Sequence, residues 1–73
     1  MRISSKKTYK VTAMAQNGDF IQSVTDGMFE NKAEILARAK WLAENKHRTL
    51  GEVRVYCLDD DEYETYNPSG KRI

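Results

Sequence analysis

Residues 8–25, TYKVTAMAQNGDFIQSVT, decide the fold. Asn17-Gly18 stands between two runs in which apolar and polar residues alternate. This dipeptide is the strongest short-range hairpin signal, because a type I′ turn needs positive φ at both central positions. A two-residue loop there sets Ala15 opposite Phe20, Ala13 opposite Gln22 and Val11 opposite Val24. One face then carries Tyr9, Val11, Ala13, Ala15, Phe20 and Val24 and is the expected core face. The other carries Lys10, Thr12, Met14, Ile21 and Ser23.

Working outward, residues 26–47, DGMFENKAEILARAKWLAENKH, turn at Asp26-Gly27 and enter a helix. Asn31 is a good N-cap, and Glu34 follows it in capping-box position. Ile35, Leu36, Ala39, Leu42 and Ala43 fall on one stripe, as expected for an amphipathic helix over a core. Glu34 and Arg38 are spaced for an ion pair on the opposite side. The helix should end near Lys46-His47, where cations suit its negative end. Residues 51–67, GEVRVYCLDDDEYETYN, alternate again and read as a second hairpin. With Asp60-Asp61 as its loop, Leu58 faces Tyr63, Tyr56 faces Thr65 and Val55 faces Tyr66.

The expectation is therefore a single α+β domain over residues 1–73. Its four-stranded antiparallel sheet has the order β-β-α-β-β, with the helix packed on one face. Residues 1–7 read as a flexible basic arm and residues 69–73 as a basic tail. One helix covers only one face of such a sheet, so the second face is left to solvent or to a partner.

Composition narrows the function. The net charge of +1 argues against a dedicated polybasic DNA binder. Charge is unevenly spread, since Arg2, Lys6, Lys7 and Lys10 precede any acid, whereas residues 52–64 are rich in acids. The chain reads as a dipole able to orient a partner. A single cysteine, Cys57, excludes an internal disulfide and fits a reducing compartment. No run approaches the ~18 apolar residues of a membrane span, and the start lacks an apolar signal region, so a cytoplasmic protein is expected.

No motif points to catalysis. Cys57 lies mid-strand on the core face, where a thiol is apolar filler, and His47 sits at a helix end. The acidic run Asp59, Asp60, Asp61, Glu62 and Glu64 lacks the central glycine of an EF-hand loop and reads as a solvated tip able to steer a basic partner. No enzyme activity, cofactor or metal is expected.

Binding residues are easier to nominate. The open face should carry Lys10, Thr12, Met14, Ile21 and Ser23, joined by Arg54, Tyr56, Leu58, Tyr63 and Thr65. Such a mixture suits a protein interface, and also base stacking on single-stranded nucleic acid. Trp41 lies about 120° from the centre of the apolar stripe and is either draped over the sheet edge or an interface anchor. For nucleic acid, the basic termini (Arg2, Lys6, Lys7, Lys71 and Arg72) would flank the tyrosines. Burial of the open face in a homodimer is a further possibility.

The helix containing AKWLAENK (39–46), the strand GEVRVY (51–56) and a final strand running into GKR (70–72) resemble the small phage-encoded anti-CRISPR proteins of the ninth type I-F inhibitor family. The resemblance implies one helix on an antiparallel sheet, in a non-enzymatic protein that inhibits a host complex by occupying its surface. The DDDE turn departs from that family, and no functional residue is carried over.

Overall fold

A computed structural model describes residues 1–73. The strands are β1 (Tyr9–Ala15), β2 (Phe20–Asp26), β3 (Leu50–Cys57) and β4 (Glu62–Tyr66), with α1 (Lys32–Asn45) between β2 and β3. They form one antiparallel sheet in the order β2-β1-β3-β4. The expected α+β fold, with its β-β-α-β-β order, is the fold observed. Tyr9, Val11, Ala13, Val53, Val55 and Cys57 on the central strands pack with Ile35, Ala39, Leu42 and Ala43 of α1. No helix is long and apolar enough to cross a membrane.

The first hairpin differs from the expected one. Gly18 N donates to Ala15 O (3.0 Å) and Ala15 N to Asp19 O (2.7 Å), so the turn is centred on Gln16-Asn17. Gly18 alone takes positive φ, at 89°. This is the three-residue loop in which glycine supplies the left-handed position. Met14 then pairs with Phe20 while Ala13 still pairs with Gln22, leaving Ile21 as a bulge. The consequence is an exchange of faces: Phe20 is 60% exposed, whereas Ile21 is 7% exposed and belongs to the core.

The second hairpin is offset by two residues from its expected register. Cys57 pairs with Glu62 and Tyr56 with Tyr63, so Leu58, Asp59, Asp60 and Asp61 form the loop. Leu58 thus leaves the sheet face assigned to it. A second bulge lies in β3, where Met14 pairs with Glu52 and Ala15 with Leu50, skipping Gly51. A Cβ on Gly51 would stand 2.5 Å from the Gln16 Cα, so only glycine permits this approach of the two backbones.

Asn31 caps α1 as expected, its Oδ1 accepting from Glu34 N at 3.2 Å. The Glu34 carboxylate reaches one residue further back, to Glu30 N (2.6 Å). It is therefore spent on the cap, and Arg38 pairs with Asp26 (3.1 Å) instead of Glu34. The helix closes with Arg48 N donating to Ala43 O and His47 N to Glu44 O, both at 3.0 Å. This is the Schellman arrangement, with His47 at φ 54° in the place where glycine is favoured.

The terminal segments are tied to the sheet. α1 packs on β1, β2 and β3, and the first residues lie against the helix side of β4. Met1 and Ile3 pack on the core, and the Tyr9 hydroxyl accepts from Ser4 N at 2.8 Å. At the other end, Tyr66 bridges Arg72, and Ile73 N donates to Thr65 O at 2.8 Å.

Candidate functional site on the open sheet face

Strand alternation brings Lys10, Thr12 and Met14 of β1 beside Tyr56, Arg54 and Glu52 of β3, residue for residue. Phe20 flanks Met14 on the β2 side, and Tyr63 flanks Tyr56 on the β4 side. Lys10, Thr12, Met14, Phe20, Arg54, Tyr56 and Tyr63 border a depression of about 380 Å³ on the face opposite α1. The predicted Lys10, Thr12, Met14, Arg54, Tyr56 and Tyr63 therefore do converge. Phe20 joins them and Ile21 does not, because of the bulge. Trp41 is elsewhere, on the helix beside Gly27 and Met28.

The site is aromatic at one corner and mixed at its centre. The Tyr56 and Tyr63 rings lie 4.4 Å apart with an interplanar angle of 32°, and Tyr63 is 74% exposed. The Tyr56 hydroxyl donates to Asp61 Oδ1 at 2.7 Å. That hydrogen bond, reinforced by burial and by the charge of Asp61, raises the Tyr56 pKa and keeps the hydroxyl protonated. Arg54 Nε donates to Glu52 Oε2 at 2.7 Å, while Lys10 makes no ion pair. The face thus offers stacking rings, a free ammonium and the exposed Phe20, while Met14 lines the depression as a buried side chain.

The acidic loop is more engaged than a solvated tip. Asp59 Oδ2 accepts from Thr8 N at 2.7 Å, Asp60 pairs with Lys7, and Asp61 holds Tyr56. The basic arm and the acidic loop, read as opposite poles of a dipole, therefore lie side by side. Glu64 is not part of the tip at all. Its carboxylate is buried on the helix side, pairing with the Met1 ammonium, accepting from the Tyr66 hydroxyl (2.7 Å) and standing 3.8 Å from Arg72. Burial pushes the Glu64 pKa up, but these partners outweigh it and hold it below the ordinary carboxylate value. Burial and the same bond push the Tyr66 phenol up to about 12.

Arg2 and Arg72 line a separate depression with Lys32, Glu64 and Tyr66, away from the tyrosine pair. Lys7 is engaged with Asp60, whereas Lys6 is exposed and its amide bonds Ser4 Oγ. The Lys71 amide and carbonyl are held in the turn after β4. The termini therefore do not form one basic ring around the open face. Comparison with known protein families, curated proteins and solved structures finds no match.

Proposed function

We propose that this chain is a non-enzymatic binding protein that docks on a protein partner through the open face of its sheet. The observation carrying the reading is the convergence of Tyr56, Tyr63, Arg54, Met14, Phe20 and Lys10 on the face that the helix leaves free. Aromatic rings, Met and Arg are enriched at the centres of protein interfaces. Holding the Tyr56 ring through Asp61 and Tyr63 reduces the entropy lost when a partner immobilises it. The partner in this reading is a large host complex in a cytoplasmic setting, blocked by surface occupation as the anti-CRISPR resemblance implies.

Affinity capture from host lysate tests the reading, with and without nuclease, using the wild type and Tyr56→Ala. A protein retained after nuclease and lost with Tyr56→Ala is the expected result. Capture that collapses on nuclease treatment would favour nucleic acid instead, and affinity would then fall steeply with salt.

A further inference from the structure

The two edges of the sheet are treated differently. β4 is covered by the chain's own end, since Ile73 N bonds Thr65 O and Arg72 bridges Tyr66. β2 has no such cover. Leu58 N donates to Thr8 O and Ala15 N to Asp19 O, so even residues of β1 turn their backbone groups to β3 and odd ones to β2. Through the register, Gln22 and Val24 bond β1, while Ser23 and Thr25 present their amides and carbonyls outward. No backbone hydrogen bond outside the sheet reaches any β2 residue. Gln22-Ser23-Val24-Thr25 contains no charge and no proline, the usual guards of an edge strand.

Exposed apolar side chains stand near the end of this strand. Trp41 and Met28, 56% and 83% exposed, flank a groove of about 510 Å³ between α1 and the segment after β2. Met28 holds its position at φ 66°, a left-handed conformation that costs a non-glycine residue energy.

We infer that this edge is where two copies of the chain pair, β2 against β2 in antiparallel sense. With the two-fold axis at Val24, Ser23 and Thr25 of one copy exchange amide–carbonyl bonds with Thr25 and Ser23 of the other. Val24, only partly buried in the single chain, then meets its own copy on the helix side. The two helices lie on one face of a continuous sheet, and Trp41 and Met28 of both copies fill the gap between them.

A second copy is the occupant that the charges select. The uncharged strand meets its twin without repulsion. Each end of β2 also carries an acid–base pair, Asp19–Arg48 at the start and Asp26–Arg38 at the finish. The two-fold axis sets the Asp19–Arg48 end of one copy toward the Asp26–Arg38 end of the other, so each end meets a charge-balanced one and no net repulsion opposes the pairing. The open face with Tyr56 stays free on the opposite side of the sheet, independent of this contact.

Sedimentation velocity of the full chain, up to about 1 mM, tests the pairing. The wild type should dimerise, and Ser23→Pro should raise the dissociation constant about tenfold or more with unchanged circular dichroism, because the lost amide points outward. Trp41→Ala should weaken the dimer as well. Should Ser23→Pro fail to fold, Thr25→Lys leaves the backbone intact and should act in the same direction. A wild type monomeric over the whole range would overturn the inference. So would a dimer indifferent to the β2 variants, which would place the contact on another surface.

Discussion

The Tyr56 hydroxyl hydrogen-bonds the Asp61 carboxylate at 2.7 Å, and this bond sets the ring against Tyr63 at the corner of the open face. Asp61 sits at φ 53° in the loop that follows β3, so the loop geometry and the aromatic corner are one unit. Tyr56→Phe keeps the ring and loses only the exposed hydrogen bond to Asp61. It should retain partner capture, whereas Tyr56→Ala should lose capture with the fold intact. Equal capture by Tyr56→Ala and the wild type would remove the ring from the interface.

His47 occupies the left-handed position of the helix C-terminus. Glycine adopts that conformation without the Cβ penalty, so His47→Gly should stabilise the domain by roughly 0.5–1 kcal/mol. For a domain of this size the melting temperature should rise by about 2–8 °C. An unchanged or lower melting temperature would mean that the His47 side chain contributes a contact worth more than the strain.

Gly51 makes the opposite case. A Cβ there would stand 2.5 and 2.6 Å from backbone atoms of Gln16, which has no freedom to swing aside. Gly51→Ala should cost about 3 kcal/mol or more, a large part of the stability of so small a domain. Urea unfolding measures it, and a loss below about 1 kcal/mol would show that the bulge relaxes.

Glu64 predicts an acid limb. Its folded pKa lies below the ordinary carboxylate value, so it contributes stability above that value and loses it as pH falls through the folded pKa. Glu64→Gln should be less stable than the wild type at neutral pH, and the two melting curves should converge in acid. A constant gap down to the lowest pH would assign the effect to packing, not to the carboxylate charge.

The helix was the most legible element, because its cap and its stripe are both local. Asn31 and Glu34 mark the start, and Ile35, Ala39, Leu42 and Ala43 are buried as their spacing requires. The turn at Asn17-Gly18 was ambiguous for a physical reason. Asn-Gly serves a two-residue loop and also a three-residue loop in which only Gly18 is left-handed. The extra residue is absorbed at Ile21, and because Phe20 and Ile21 are both apolar the hydrophobic pattern cannot tell which one faces inward. The second hairpin slips by two residues, which preserves parity. Arg54, Tyr56, Tyr63 and Thr65 therefore keep the open face although their cross-strand neighbours change. Glu64 has no local signature, since its partner at Met1 is set by how the first residues pack.

The most direct test of the binding account is amide chemical-shift mapping of the labelled chain with its captured partner added. The largest changes should gather on Lys10, Thr12, Phe20, Arg54, Tyr56 and Tyr63. Changes centred on Ala37, Trp41 and the outer side of α1, with the open face silent, would contradict it.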